Sequence, residues 1–204
     1  MCSRFELIAP PRELARRFGL DRPPPALNAA EVRPTDAALV IDRPPGMGDG
    51  PAARLLPWGL AVAWDTKPVI NARAETLTEK RTFRPLLGRR CLVPATAYFE
   101  WRKVGRARLK NRIRPAATDD GGEVFAFAGL FDGERFTVVT CAAAPAVAPI
   151  HDRMPVILAG DAEERWIDPA LPFDAVAPLL VPYAGTLAAD EDAPPSEKQA
   201  ELFG

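Results

Sequence analysis

Hydrophobic and polar residues alternate in short runs along the chain, which predicts many short strands and few helices. The clearest signal is a pair of apolar segments, Val124–Phe131 and Glu134–Cys141, separated by Asp132 and Gly133. An Asp-Gly pair suits the positive φ angles of a type I′ turn. The pattern therefore predicts an antiparallel hairpin with a two-residue turn.

Other short apolar segments predict further strands. They are Ala37–Ile41, Leu55–Trp64, Cys91–Pro94, Tyr98–Trp101 and Pro155–Leu158. Basic residues alternate with others along Arg106–Pro115, which predicts an edge strand with a basic face.

Two short helices are predicted. One begins at Pro10 and Pro11 and ends before Gly19, a plausible C-terminal stop. The other begins near Asp161, whose spacing to Glu164 resembles a capping box.

These elements predict an α+β fold: one β-rich domain over residues 1–187, mainly antiparallel strands with a few short helices. A chain of 204 residues, 48% of them hydrophobic, is sufficient for one packed domain. Residues 188–204 are acidic and contain proline, which predicts a mobile C-terminal tail.

Composition excludes several classes of protein. No apolar run is long enough to cross a bilayer, and the first residues lack the apolar core of a secretory signal. The three cysteines, Cys2, Cys91 and Cys141, are widely spaced and form no C-x-x-C pair. They favour reduced thiols in a cytoplasmic protein, without a disulfide framework or a metal site.

Charge is unevenly distributed, although the net charge is only −1. Residues 67–114 contain 14 basic and 3 acidic residues, whereas residues 160–204 contain 2 basic and 10 acidic ones. Of the 26 basic residues 21 are arginine, which favours bidentate contact with phosphate. A genome of high GC content explains the excess of arginine over lysine but not the clustering.

Cys2 is the first candidate for chemistry. If Met1 is removed, Cys2 carries an α-amine and a thiol on adjacent carbons, and this pair can condense with an aldehyde to a five-membered thiazolidine ring. An α-amine with a pKa of about 8 is partly neutral near physiological pH. Position alone also fits an incidental cysteine that packs in the core.

Two further candidates are titratable side chains. His151 is the only histidine, so a proton shuttle near neutral pH has no other imidazole, but a structural role is equally open. Glu100 lies among aromatic residues, where it is either buried in an apolar pocket and able to donate a proton, or exposed on a half-buried strand.

Asn71, Arg73 and Trp58 each have a functional and a structural interpretation. Asn71 can orient an amine or form a turn, and Arg73 can hold a phosphate or pair with Glu75. Trp58 can stack on a base or lie in the core. Phosphate-loop, nucleophile-elbow and dinucleotide fingerprints are absent from the sequence.

Seven segments together resemble the SOS-response-associated peptidase (SRAP) family, in order and approximate spacing. They are Met1-Cys2-Ser3-Arg4-Phe5, Pro57-Trp58-Gly59-Leu60, Asn71-Ala72-Arg73-Ala74-Glu75-Thr76, Arg90-Cys91-Leu92-Val93-Pro94-Ala95, Phe99-Glu100-Trp101, Phe125-Ala126-Phe127-Ala128-Gly129-Leu130 and His151-Asp152-Arg153-Met154-Pro155. The resemblance covers residues 2–168.

The resemblance implies a sensor of abasic sites in single-stranded DNA, which traps the sugar aldehyde as a thiazolidine DNA–protein crosslink. Nothing in the sequence demands more than a monomer. It implies Cys2 as the nucleophile and places Asn71, Glu100 and His151 around it. It further implies DNA contacts by four residues and no metal or organic cofactor. These four are Arg4, Trp58, Arg73 and Arg153.

The chain departs from the family pattern in several places. Ser3 stands where the family usually has glycine, and residues 27–31, 140–143 and those after Leu180 differ from the usual sequence. Two rival functions therefore stay open. One is a cysteine peptidase or amidohydrolase that uses the same N-terminal nucleophile, and the other is a non-catalytic protein that binds single-stranded DNA.

Overall fold

The computed structural model describes residues 2–27, 29–44, 50–116, 118 and 121–191, and short strands dominate them. The strands are β1 (Phe5–Leu7), β2 (Ala29–Val32), β3 (Ala37–Asp42), β4 (Ala52–Pro57), β5 (Leu60–Val62), β6 (Asp65–Val69), β7 (Asn71–Arg73), β8 (Arg90–Ala95), β9 (Ala97–Val104), β10 (Ala107–Pro115), β11 (Phe125–Phe131), β12 (Phe136–Ala142), β13 (Arg153–Pro155), β14 (Ile157–Leu158) and β15 (Leu187–Glu191). The helices are α1 (Pro11–Arg17), α2 (Ala162–Ile167) and α3 (Phe173–Val176), with single 3-10 turns at Ala74–Thr76, Arg84–Leu86 and Ala177–Leu179.

The strands form two large sheets and one small ribbon. The first large sheet has the order β15-β10-β9-β1-β2. The second has the order β13-β12-β11-β8-β3-β4, with β14 on β11 and β7 on β12, and the ribbon joins β5 to β6. Among the strands of the described residues, pairing is antiparallel except between β7 and β12. The predicted α+β fold of mainly antiparallel strands with a few short helices is confirmed.

The core lies between the two large sheets, where aromatic rings from both meet. Phe5 of β1 lies edge-on to Trp58 and to Phe127 of β11, with ring centroids 5.1 and 6.0 Å apart. Tyr98 of β9 also contacts Phe127, at 6.0 Å. All four rings are buried. Because β1 carries the residues that directly follow Cys2, this packing fixes the start of the chain against the core.

The β11–β12 hairpin forms as predicted, but its turn lies one residue further along. Phe131 pairs with Phe136, and the Asp132 amide donates to the Arg135 carbonyl, so Gly133 and Glu134 form the turn. The Asp132 carboxylate accepts hydrogen bonds from the amides of Glu134 and Arg135, both at 2.8 Å. This local bond shifts the turn away from the expected Asp-Gly position.

Strand β10 is not an edge strand, contrary to the prediction. β15 pairs with it along residues 187–191, where Leu187 lies opposite Pro115 and Glu191 opposite Asn111. The expected boundary at 187/188 therefore falls inside a strand, and residues 188–191 belong to the sheet. The remainder of the predicted tail, 192–204, lies outside the described residues. Acidic β15 covers basic β10, and this complementarity explains the pairing of a segment that reads as a solvated tail.

The two predicted helices are present. α1 begins at Pro11, and Leu14 and Phe18 are buried. α2 forms without the predicted capping box, because the side chain of Asp161 makes no capping hydrogen bond. Its position is instead set by packing of Trp166, whose indole N–H donates to the Cys91 and Gly129 carbonyls.

Candidate functional site

The backbone around Cys2 is held by hydrogen bonds on both sides. The Cys2 thiol donates to the Arg4 carbonyl at 3.3 Å, and the Cys2 carbonyl accepts a hydrogen bond from Asn71 Nδ2 at 2.8 Å. Asn71 begins β7, which pairs with β12 in the other large sheet. The first residues of the chain are therefore fixed to a strand that is 69 positions away in sequence.

The Cys2 thiol is strongly shielded from water. Cys2 is only 1% exposed. Burial, reinforced by the negative charge of Glu100, raises the pKa of the thiol to about 12. The thiol is therefore protonated at physiological pH in this state. A buried neutral thiol is a weak nucleophile. After removal of Met1, the α-amine of Cys2 would therefore be a stronger nucleophile than its thiol.

Glu100 is buried on the inner face of the first sheet, which decides between its two interpretations from sequence. It is 3% exposed and lies on β9 two residues after Tyr98, on the same face. Its charge contributes to raising the pKa of both Cys2 and Tyr98. Glu100 and Cys2 therefore share one buried, electrostatically coupled region.

Asn71 offers a second polar atom to this region. While Nδ2 is used by the Cys2 carbonyl, the Oδ1 atom is buried and accepts no hydrogen bond from the described residues. An amide oxygen in this position can accept a hydrogen bond from an amine or a hydroxyl group. A buried acceptor without a donor is costly, which makes a ligand group its natural partner.

His151 lies just before β13, and β12 separates β13 from the strand of Asn71. Its Nδ1 accepts a hydrogen bond from the Arg153 amide at 2.9 Å, while Asp152 Oδ1 lies 2.8 Å from the same nitrogen. The two contacts require opposite protonation of Nδ1. The Asp152 side chain is 86% exposed, whereas the Arg153 amide is held in the backbone. Nδ1 is therefore the acceptor of the amide hydrogen bond, and the imidazole proton lies on Nε2.

Arg153 begins β13 and binds the carboxylate of Glu75, which follows β7 on the opposite side of β12. Its guanidinium makes two hydrogen bonds to Glu75, at 2.7 and 2.9 Å, and a third to the Thr140 carbonyl at 2.8 Å. Arg73 lies two residues before Glu75 and is exposed. The ion pair that the sequence suggested between Arg73 and Glu75 is therefore made by Arg153 instead.

Arg4 lies two residues after Cys2, close to the surface. Its Nε bonds to Glu31 at 3.2 Å, and its Nη1 donates to the Ser3 carbonyl at 2.7 Å. The side chain remains 28% exposed. Arg4 precedes β1, Arg73 ends β7 and Arg153 begins β13, and each lies two residues after a candidate site residue.

Trp58 contradicts its expected position near DNA bases. It is fully buried, its indole N–H donates to the Ile70 carbonyl at 2.9 Å, and its ring packs on Phe5 and Phe136. The alternative interpretation, a core tryptophan, is the correct one. The apolar pattern of the predicted strand Leu55–Trp64 reflects this core, and Gly59 divides it into β4 and β5.

The sequence interpretation missed Trp64, which is 71% exposed. It lies in the connection between β5 and β6, two residues after Val62 and directly before Asp65. An indole ring this exposed is available to stack on an external planar group such as a base. The sequence signal was its place at the end of the apolar segment Leu55–Trp64, directly before the charged segment that contains Asp65 and Lys67.

A search of the described residues for metal sites finds no group of three side chains that could hold an ion. None of the helices described is both long and apolar enough to span a bilayer.

Comparison with known proteins gives a consistent result. A family model described as SOS response associated peptidase (SRAP) matches residues 1–191. Abasic site processing protein YoaM from Bacillus subtilis is 35% identical over 205 residues, with 90% of this chain and 86% of that protein covered. Abasic site processing protein YedK from Escherichia coli is 36% identical over 119 residues, covering 54% of this chain and 52% of that protein.

The fold is also found among solved structures. A crystal structure of a protein from Bordetella bronchiseptica superposes with a TM-score of 0.78 at 26% identity, covering 95% of this chain and all of that one.

Proposed function

The chain belongs to the SOS response associated peptidase (SRAP) family, and from this premise we propose that it traps abasic sites in single-stranded DNA as a covalent crosslink to Cys2. The observation that carries the proposal is the fixed position of Cys2, hydrogen-bonded to Asn71 and electrostatically coupled to buried Glu100. Its relatives named as abasic site processing proteins support the choice of substrate.

The proposed chemistry needs a free 1,2-aminothiol, so Met1 is removed first, by an aminopeptidase or by the protein itself. The Cys2 amine then adds to the aldehyde of the ring-opened sugar, which gives a carbinolamine. Loss of one water molecule produces a Schiff base, and addition of the thiol closes the thiazolidine ring. One carbon–nitrogen and one carbon–sulfur bond form, and the aldehyde oxygen leaves as water.

The raised pKa of the Cys2 thiol supports this order of steps. At neutral pH the buried thiol keeps its proton, whereas an α-amine is partly neutral because its ordinary pKa is about 8. The amine therefore attacks first. The thiol adds later, when its proton can pass to the imine nitrogen or to a neighbouring base.

Glu100, Asn71 and His151 have proposed roles in the proton transfers and hydrogen bonds of these steps. The Glu100 carboxylate, buried beside Cys2, takes the proton that the attacking amine loses and returns it to the carbinolamine hydroxyl, so that water can leave. Asn71 Oδ1 accepts a hydrogen bond from the amine or the carbinolamine hydroxyl. His151, with its proton on Nε2, stabilises the oxygen of the opened sugar.

The proposed DNA contacts come from arginine and from one exposed aromatic residue. Arg4, Arg73 and Arg153 bind phosphates on either side of the lesion. Trp64 replaces Trp58 as the stacking partner for a neighbouring base, because Trp64 is exposed and Trp58 is buried. An abasic site has no base to unstack, so its entry into the site costs little.

The rival functions use the same residues with different chemistry. A cysteine peptidase would need a thiolate and an oxyanion hole, and the high pKa of the Cys2 thiol opposes the first of these. A non-catalytic DNA-binding protein would need neither. Both rivals remain outcomes of the following experiment.

The proposal is tested by incubating the protein with single-stranded DNA that carries one abasic site, followed by denaturing electrophoresis. The expected result is a slower-migrating adduct with the parent protein and none with Cys2→Ala. Turnover of a peptide without an adduct would support the hydrolase. Binding without an adduct would support the non-catalytic protein.

Two controls distinguish the amine from the thiol. Cys2→Ala retains the α-amine, so borohydride present during incubation should trap a Schiff base with this variant. One residue inserted between Met1 and Cys2 removes the aminothiol while preserving the thiol, and this variant should form no stable adduct. A stable adduct with the insertion variant would contradict the mechanism.

A further inference from the structure

One carboxylate near the start of the chain is shared by three cations. Glu31 Oε1 accepts hydrogen bonds from Arg4 Nε at 3.2 Å and Arg33 Nε at 2.9 Å, and Oε2 accepts one from Lys110 Nζ at 3.0 Å. We call these four residues the Glu31 cluster. With three positive charges and one negative charge it keeps a formal surplus of two positive charges, so it still attracts anions.

The Glu31 cluster is built from the first sheet and is open to water. Arg4 precedes β1, Glu31 lies on β2 and Lys110 on β10, where its ammonium group lies 4.0 Å from the centre of the Phe99 ring. The Phe99 amide in turn donates to the Arg4 carbonyl. The side chains of Arg4, Lys110 and Glu31 are 28, 26 and 25% exposed, so an external anion can reach them.

Another ion pair of the same sheet shows how a structural pair differs. Glu6 binds Arg112 at 2.6 and 3.3 Å and also accepts a hydrogen bond from the Thr96 hydroxyl. Its side chain is only 9% exposed. The Glu6 carboxylate is buried and pairs with one guanidinium. The Glu31 carboxylate is accessible and is shared by three cations.

The ionised form of Glu31 is favoured by its neighbours. Burial alone would raise the pKa of this carboxyl, but hydrogen bonds from Lys110 and Arg33 outweigh burial and keep the pKa below its ordinary value. Glu31 is therefore a permanent anion at physiological pH. A carboxylate resembles a DNA phosphodiester in offering two oxygen atoms that share one negative charge.

We propose that the Glu31 cluster is a phosphate-binding site for single-stranded DNA in which the Glu31 carboxylate occupies the phosphate position until DNA displaces it. This inference rests on the proposed function, because Arg4 lies two residues from the nucleophile Cys2. A phosphate that enters forms the hydrogen bonds that Arg4, Arg33 and Lys110 now give to Glu31. Glu31 is thus an internal competitor that weakens binding of DNA. The three cations bind a phosphate only when it replaces the Glu31 carboxylate.

The experiment measures non-covalent binding of single-stranded DNA in which a tetrahydrofuran residue replaces the abasic sugar, so that no aldehyde can react. Glu31→Gln should bind at least about fivefold more tightly than the parent protein at about 50 mM salt, because a competing anion is removed. Glu164→Gln, which changes the net charge equally on the exposed side of α2, should bind within about twofold of the parent. Equal or weaker binding by Glu31→Gln would overturn the proposal.

A double-mutant cycle with Lys110 excludes the alternative that Glu31 merely positions Arg4. If Glu31 and phosphate compete for the same cations, Lys110→Gln weakens binding more in the Glu31→Gln background than in the parent protein, because Lys110 holds the competitor as well as the DNA. If Glu31 is a positioning residue, the loss is smaller in that background. The second result would contradict competition.

The two proposals can fail separately. If the parent protein forms the crosslink but Glu31→Gln leaves affinity unchanged, only the phosphate exchange is wrong. If the parent protein neither binds the tetrahydrofuran strand nor reacts with an abasic site, the proposed function itself fails.

Discussion

At the scale of single residues, burial is what decides the chemistry at Cys2. An exposed cysteine at the start of a chain would be a reactive thiol. Here the side chain is 1% exposed and lies near the negative charge of Glu100, and together these raise the pKa of the thiol to about 12. The resulting order, amine before thiol, suits condensation with an aldehyde better than hydrolysis of a peptide.

This predicts slow alkylation of Cys2. Near pH 8 the reaction with iodoacetamide should be on the order of a thousandfold slower than that of an ordinary cysteine, because the thiolate fraction falls by that factor. Since the pKa is raised, the logarithm of the rate should increase by about one per pH unit up to pH 10, without a plateau. Mass spectrometry of the N-terminal peptide measures Cys2 separately from Cys91 and Cys141.

Glu100→Gln provides the matched variant for this measurement. It removes the negative charge that contributes to raising the thiol pKa, so alkylation of Cys2 should become faster at every pH below 10. A plateau between pH 8 and 9 in the parent protein would show that the thiol is not shielded.

The sequence identifies candidate residues for the site but not how exposed they are. Asn71 and Glu100 each have a functional and a structural interpretation in sequence, because accessibility depends on strands distant in sequence. The same limitation explains the error at Trp58. A tryptophan in a Pro-Trp-Gly-Leu segment looks the same in sequence whether it faces Phe5 in the core or faces water.

At the scale of elements, the β5–β6 ribbon links the core to the proposed DNA-binding surface. It begins after buried Trp58, carries exposed Trp64 in its turn, and leads through Ile70 into Asn71. A change in the ribbon can therefore affect both the stacking residue and the site residue.

The ribbon gives a prediction on DNA binding. Trp64→Ala should weaken binding of single-stranded DNA by about 1–3 kcal/mol, as expected for the loss of one stacked base, while the free energy of unfolding stays nearly unchanged. Trp58→Ala should instead destabilise the fold by about 3–5 kcal/mol, because it leaves a cavity in the core. Anisotropy titration and urea unfolding of both variants measure the contrast. Unchanged DNA affinity in Trp64→Ala would remove the ribbon from the proposed interface.

Gly59 determines how the ribbon leaves β4. Its φ angle is +119°, and a Cβ atom added there would lie 2.6 Å from Pro68 Cβ. Gly59→Ala should therefore lower the free energy of unfolding by about 1–3 kcal/mol. Gly88→Ala is the control, since an added Cβ there meets no atom within 4 Å. Equal stability of the two variants in urea unfolding would mean that the backbone at Gly59 adapts easily.

Strand prediction was more successful than prediction of strand order. Short apolar segments identified β3, β8, β9, β11 and β12, because most residues of each strand are buried in the core. The neighbours of a strand are not encoded in its own pattern. Strand β10 looked like an edge because its face is basic, and its acidic partner β15 looked like a tail.

At the scale of the whole molecule, β15 forms one edge of the first sheet and joins the end of the described chain to its most basic strand. Besides the backbone pairing with β10, Glu191 binds Arg102 at 2.9 Å, and Leu187 is buried. β15 also covers the backbone edge of β10 and replaces it with a short acidic edge, which is a poorer template for pairing with another chain.

This predicts unequal effects of two truncations. A chain that ends at Glu191 retains β15, whereas one that ends at Thr186 loses it. The shorter chain should have a free energy of unfolding lower by at least about 2 kcal/mol, because it loses the burial of Leu187 and a set of strand hydrogen bonds. It should also aggregate more readily. Urea unfolding and light scattering measure both effects, and indistinguishable unfolding curves would contradict a structural role for β15.

The central claim, that this fold holds a free aminothiol to trap an aldehyde in DNA, is tested most directly by the mass of the N-terminal peptide from an adduct digested with protease and nuclease. We expect a peptide that begins at Cys2 and carries the sugar remnant, with a mass one water below the sum of its parts and unchanged by borohydride. An adduct that retains Met1, that lies on a lysine, or that gains two hydrogens on reduction would contradict the account.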